Sequence, residues 1–255
     1  MNQLQLDDIE LATFRRDGFV IRRALANGDQ CDELVAVAGE HLAQQLAPIE
    51  YEVDVQYPGS PTSLDAEGAE TSRRLLQACS RHELFRRWAT SAETVSVLRK
   101  LFSDDSLALS QCHHNCIMTK QPGYSSATLW HQDNRYWAFD QQDLISVWLA
   151  LGDESHENGC LRVIPGTHQE EFDTGRFDAA LFLRPELPEN KTLIARSEVV
   201  TLNKGDVLFF HSRLFHAAGR NLTQRTKFSL VFTYHKLSNH PIENTRSAKF
   251  PSIAV

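Results

Sequence analysis

Long apolar runs are missing from this chain of 255 residues. No window approaches the roughly 18 consecutive apolar residues that a membrane-spanning helix needs, and the mean hydropathy is -0.36; no membrane partner is expected. Clusters of one charge sign are missing too. The 26 Lys and Arg against 33 Asp and Glu leave a net charge of -7, and no basic cluster exceeds a pair. Such a chain offers no electrostatic footprint for a polyanion, so nucleic acid is not an expected partner. The five cysteines include no Cys-x-x-Cys, which argues against a disulfide framework and a zinc ribbon and for reduced thiols in the cytoplasm. Residues Met1 to Asp8 lack the basic start and apolar core of a secretion signal, so the chain is expected to stay where it is made. Repeats and low-complexity tracts are absent, and with 42% hydrophobic residues the sequence reads as one soluble domain over 1–255.

What is present divides by periodicity. Residues 1–103 read mostly as helix. Leu6 to Arg16 gives a short helix, and Asp29 to Ala47 an amphipathic one, with Leu34, Val35, Ala38, Leu42 and Leu46 on one stripe and Pro48 as its stop. Two more short helices are predicted between Ser80 and Phe102. Val53 to Ala69, with its prolines, glycines and acids, reads as an exposed loop. From Leu107 the pattern changes to period two. Leu107 to Thr119, Leu144 to Leu151, Glu198 to Leu202, Val207 to His211 and Phe228 to His235 read as strands. Short strands in series without long intervening helices point to a mainly β fold with flanking helices: an antiparallel jelly roll over about 104–238, covered on one face by the helical part.

The sharpest local signal is Trp130-His131-Gln132-Asp133. On extended backbone, residues i and i+2 face the same way, so the His131 imidazole and the Asp133 carboxylate can converge on one point. A histidine from the segment Gly205-Asp206 through His216, either His211 or His216, would complete a two-histidine, one-carboxylate set. That set leaves coordination sites open on iron(II), as oxygen chemistry requires, whereas a closed four-ligand site would suit structural zinc. Cys112-His113-His114-Asn115-Cys116 is a rival constellation. On a strand its side chains alternate between faces, and no second Cys/His pair lies near it in sequence, so a zinc clip is not expected.

His131-x-Asp133, Asn158-Gly159-Cys160-Leu161, Pro165-Gly166-Thr167-His168, Gly205-Asp206 through His216, and then Asn221 and Arg225 together resemble the phytanoyl-CoA dioxygenase family. Phe14-Arg15-Arg16-Asp17-Gly18-Phe19-Val20 resembles the opening of these proteins, so the likeness spans nearly the whole chain and is weak in 53–70 and 169–196. It implies a double-stranded β-helix (jelly-roll, cupin-like) core and dependence on Fe(II), 2-oxoglutarate and O2. His131, Asp133 and His216 become the iron ligands and catalytic centre, and His211 a core histidine. The far carboxylate of 2-oxoglutarate calls for a basic anchor beyond the distal histidine. Arg225 is the first choice and Lys227, where some members carry arginine, the second, both taken to share one strand face. Trp148 matches a tryptophan near the cosubstrate, and Lys120 a lysine that precedes the first ligand.

Tyr136, Trp137 and Phe139, just after Asp133, read as a substrate wall. The implied activity is hydroxylation of a C–H bond in a small molecule, with release of succinate and CO2. An acid at position 133 speaks against the related halogenases, which need a small residue there. The competing reading is a non-catalytic metal-binding jelly roll with a degenerate cosubstrate grip, for which lysine at 227 is the best support.

Overall fold

The computed structural model describes residues 6–55 and 57–255; the first five positions of the Met1 to Asp8 segment lie outside the described residues. In chain order the elements are α1 (Asp8–Asp17), β1 (Phe19–Arg22), α2 (Gly28–Ala43), β2 (Ile49–Tyr51), β3 (Ser72–Leu76), α3 (Ala78–Arg81), α4 (Glu83–Ala89) and α5 (Ala92–Phe102). There follow β4 (Leu107–Lys120), β5 (Thr128–His131), β6 (Leu144–Ala150), β7 (Leu161–Val163), α6 (Pro188–Ile194), β8 (Glu198–Val199), β9 (Val207–His211), β10 (His216–Ala218), β11 (Lys227–Lys236) and β12 (Ile253–Ala254). Among the described residues no helix is long and apolar enough to cross a membrane.

Two antiparallel sheets make a jelly roll. The larger runs β1-β9-β6-β11-β4-β3-β2, with β12 on β4, and the smaller runs β5-β10-β7-β8. Every residue of β6 is buried, because each face of the large sheet meets its own core. Ile145, Val147 and Leu149 pack with Val207, Phe209, Leu230 and Phe232 against Leu34, Trp88 and Leu98 of the helices. The alternate residues, Trp148, Leu208, Phe210 and Val231, meet Leu161, Val163 and Ala218 of the small sheet. A strand buried on both faces loses the polar half of its alternation, which is why β6 reads as a continuous apolar run.

The first hundred residues are less helical than their periodicity suggests. They supply β1, β2 and β3, all paired into the large sheet. α2 stops at Ala43, before Pro48, where Gln44 caps the helix and Gln45 turns to φ 47°. At the far end of the small sheet, Gly159 (φ 75°) passes so close to β10 that a Cβ there would lie 2.5 Å from the Gly219 carbonyl oxygen. Only glycine fits that turn.

Candidate metal centre and its two cavities

His131 and His216 are direct cross-strand partners on β5 and β10, the register at which side chains of adjacent strands meet. Their ring centroids lie 4.2 Å apart. Gln132 is extended (φ -110°, ψ 139°) and Asp133 opens a 3-10 turn, so the carboxylate swings to the same side as both rings. Asp133 Oδ1 lies 3.7 Å from His131 Nε2 and 3.6 Å from His216 Nε2. One ligand atom from each of the three lies within 4.8 Å of the others.

The hydrogen bonds around this triad fix its proton positions. His131 Nδ1 is 2.8 Å from the Leu129 carbonyl oxygen, and His216 Nδ1 is 3.1 Å from that of Leu214. Each carbonyl can only accept, so each Nδ1 carries hydrogen, and in the neutral ring each Nε2 presents a lone pair. Burial and then His131 push the His216 pKa down to about 4, so its ring is neutral at pH 7. Burial opposes the charge of Asp133, yet His114, His216 and His131 outweigh it and hold the carboxylate well below its ordinary range. The second oxygen, Oδ2, accepts from Ser146 Oγ at 3.1 Å and faces His114 Nδ1 at 3.5 Å. Among the described residues Oδ1 is buried with no hydrogen-bond partner. Two nitrogen lone pairs and an unpartnered carboxylate oxygen, all buried and converging, are mutually repulsive unless a cation sits among them. The donor set therefore fits a divalent metal, and two imidazoles with one carboxylate suit Fe(II) with open positions.

A cavity of about 50 Å³ opens on one side of the triad between the two sheets. His131, His216, Trp148, Thr128, Lys120 and Lys227 line it, with Arg73, Arg74 and Glu52 at its β3 side. Lys227 and Lys120 are cross-strand partners, which places two lysine side chains together. Lys227 Nζ pairs with Glu154 Oε2 at 2.8 Å, and the two side chains are 2% and 0% exposed. Glu154 Oε1 also accepts from Trp148 Nε1 at 2.9 Å and Ser229 Oγ at 2.6 Å. Lys120 Nζ donates to the carbonyl oxygens of Ser126 and Gly219. Burial, then Arg73 and Lys227, lower its pKa well below the usual ammonium range.

Arg225 is not among the lining residues. It is exposed and lies in the turn before β11, which begins at Lys227, so the same-face rule for a strand does not reach it. His211 is the last residue of β9 on the helix-facing side, 3.6 Å from Asp143, and takes no part in the triad. A second cavity, of about 190 Å³, adjoins Asp133 and His131 and is lined in part by Tyr136 and Trp137. Phe139 does not line it: its bridge to Pro241 turns the ring against His235, centroids 4.9 Å apart.

Several residues of the site gave no signal in the sequence. Arg73 donates to Ser126 Oγ and Thr128 Oγ1, and Phe182, from the segment between β7 and α6, sets its ring 5.8 Å from that of His131. His114 reaches Asp133 because β4 bulges: Asn115 pairs with Phe232 and Ser110 with Thr233, leaving residues 111–114 out of register. The Cys112 to Cys116 stretch is thereby split between Phe250, Ser247 and Asp133.

A jelly roll that gathers two histidines and one carboxylate defines the mononuclear non-haem iron class. The sequence model of the phytanoyl-CoA dioxygenase family matches residues 14–229, and the chain belongs to that family. Human peroxisomal phytanoyl-CoA dioxygenase is 33% identical over 172 residues, 63% of this chain and 48% of that protein; the chain thus matches about half the length of that relative. Ectoine dioxygenase from Sphingopyxis alaskensis is 23% identical, over 93% of this chain and 78% of that protein. Among solved structures, the iron-bound ectoine enzyme EctD of S. alaskensis superposes with a TM-score of 0.74 at 20% identity, covering 98% of this chain and 84% of that one. The epimerase SnoN, in complex with Fe3+, alpha-ketoglutarate and nogalamycin RO, gives 0.73 at 23% identity over 92% and 85%.

Proposed function

We propose that this chain is an Fe(II)- and 2-oxoglutarate-dependent dioxygenase that hydroxylates a C–H bond of a small molecule in the cytoplasm. The observation that carries this is the unpartnered Asp133 Oδ1 facing two histidine lone pairs, with a cavity on each side. His131, Asp133 and His216 would hold the metal, leaving positions for a keto acid and oxygen. When bound, iron(II) with these two co-reactants supplies the oxidation: one oxygen atom goes to the substrate C–H and the other into succinate, with loss of CO2.

The chain's own residues bind, orient and shield. Lys227 and Lys120 would take the far carboxylate of 2-oxoglutarate, with the Thr128 hydroxyl beside them. Trp148 walls the same cavity, its indole fixed by Glu154. On the other side Tyr57 and Tyr136, joined hydroxyl to hydroxyl at 3.0 Å, cover the approach to the metal. The non-catalytic reading is disfavoured by this cavity, which keeps two lysine side chains and a hydroxyl beside the triad. The test is succinate release: formation only with Fe(II), 2-oxoglutarate and oxygen all present supports the proposal. A protein that binds iron and never consumes 2-oxoglutarate, with any substrate offered, would sink it.

A further inference from the structure

Two guanidinium groups line the second cavity with N–H donors that the protein leaves unused. Arg74, on β3, sets its Nε 3.4 Å from Glu50 Oε1. Among the described residues its two terminal nitrogens meet no hydrogen-bond partner, and the side chain lines both cavities at the triad. Arg246 comes from the C-terminal segment, in a 3-10 turn over Arg246–Ala248. Its side chain lines the second cavity, is exposed, and has no hydrogen bond or ion pair among the described residues. Glu50 lies between Arg74 and Arg73, at 3.4 and 3.3 Å, and Glu52 faces Arg73 at 3.6 Å, so these two acids offset Arg73 and Arg74 and none is left for Arg246. His113, on the same wall, adds no negative charge, and burial pushes its pKa down to about 3, so it adds no positive charge at pH 7 either. Tyr136 and Trp137 add two aromatic rings to the wall, the latter stacked at a tilt on His113 with centroids 5.1 Å apart.

An arginine fork with free N–H groups is built for two parallel hydrogen bonds to a planar oxyanion. Two such forks on one small aromatic-walled cavity, next to a metal centre, specify the charge of what enters. We propose that this cavity seats an organic oxyanion, a carboxylate or a phosphate ester, held by Arg74 and Arg246 with its hydrocarbon part against Tyr136 and Trp137. This rests on the oxygenase reading above and names the substrate class for that site. Arg246 then acts as the specificity residue at the rim, and Arg74 as the inner contact.

The test uses the Fe(II)- and 2-oxoglutarate-loaded protein without oxygen, titrated calorimetrically with matched pairs: benzoate and benzamide, octanoate and octanamide, phenyl phosphate and phenol. The acid of at least one pair should bind about tenfold tighter than its neutral partner, the factor expected of a charge-assisted hydrogen bond. Arg246→Gln should reduce that ratio to below about threefold. Preference within the carboxylate pairs or within the phosphate pair identifies which oxyanion is taken. Equal binding within every pair, no binding of any acid, or a ratio untouched by Arg246→Gln would overturn the inference. The visible charge-transfer band of the Fe(II)–2-oxoglutarate complex is recorded in the same samples. Its presence without acid preference sinks this inference alone, whereas its absence in the wild-type protein sinks the oxygenase reading and this inference with it.

Discussion

Lys227→Met should damage the protein twice, through the fold and through the cosubstrate, and a second substitution should separate the two effects. The Lys227–Glu154 pair is buried, at 2.8 Å with side chains 2% and 0% exposed, so removing the ammonium leaves a carboxylate in a dry site. Breaking a buried pair from one side costs about 3–5 kcal/mol. Glu154 keeps the Trp148 indole and the Ser229 hydroxyl as donors, which places the loss near the lower end, about 3 kcal/mol. For a chain of this size each kcal/mol moves Tm by roughly 2–4 °C, so a fall of about 6–12 °C is expected. In Lys227→Met/Glu154→Gln the charge is gone while an acceptor oxygen for Trp148 and Ser229 remains. At least half of the lost stability should return, since replacing both partners of a buried pair is often close to neutral. Cosubstrate binding should not return: both variants should weaken 2-oxoglutarate about tenfold or more, the worth of a charged donor to a carboxylate. Urea unfolding of metal-free protein gives the first quantity, and anaerobic titration of the Fe(II) form with 2-oxoglutarate the second. A single variant that loses less than about 1 kcal/mol, or a double variant with wild-type 2-oxoglutarate affinity, would refute the reasoning.

His216→Ala should abolish stoichiometric iron while His211→Ala retains it, because His211 faces Asp143 on the other side of β9; metal analysis of the purified variants decides. Ser146→Ala removes the 3.1 Å hydroxyl donor from Asp133 Oδ2 and should weaken Fe(II) by about ten- to a hundredfold in anaerobic titration. Arg225→Ala should leave 2-oxoglutarate affinity within about twofold, as expected of an exposed residue outside the cavity. Lys120 makes 2-oxoglutarate binding pH-dependent. Its free pKa lies well below the usual ammonium range and an incoming carboxylate raises it, so affinity is full below the free value and declines as pH rises through the window up to the bound value. Calorimetry in two buffers of different ionisation enthalpy should detect proton uptake, and its absence counts against Lys120 at the cosubstrate.

The parts of the site visible in the sequence are those that obey local periodicity. His131 and Asp133 are two residues apart on extended backbone, and Trp148 alternates with Val147 and Leu149 on β6, so their directions follow from spacing. The histidine that completes the set is a matter of register: His216 faces His131 because β10 pairs with β5, a contact across more than eighty positions that no local pattern encodes. Arg225 misleads for the opposite reason, since its two-residue offset from Lys227 matters only where the strand has begun. Arg73 and Arg74 lie between the periodic segments, where a basic pair gives no directional signal. They turn inward because β3 lies beside β4 in the large sheet, with Glu50 and Glu52 to receive them. His114 is hidden by the bulge in β4, which strict alternation cannot anticipate.

The two sheets divide the chemistry. β5 and β10 of the small sheet carry both histidines, and the large sheet supplies what surrounds them: Ser146 and Trp148 from β6, Lys120 and His114 from β4, Lys227 from β11, and Arg74 from β3. Of the residues proposed for the cosubstrate, Trp148 is held between β11 and β9, and Lys120 and Lys227 pair with each other at the ends of β4 and β11. The second cavity has β2, β3 and β4 on one side, and its outer wall is Tyr57, which follows β2, the turn after Asp133, and Arg246 near the C-terminus. Substitutions in those peripheral segments disturb few core contacts, whereas a change at Lys227 or Trp148 disturbs the sandwich itself. If the proposed function holds, selectivity for the substrate can vary at these outer positions at low cost to the fold, while the grip on a keto acid at Trp148 and Lys227 cannot.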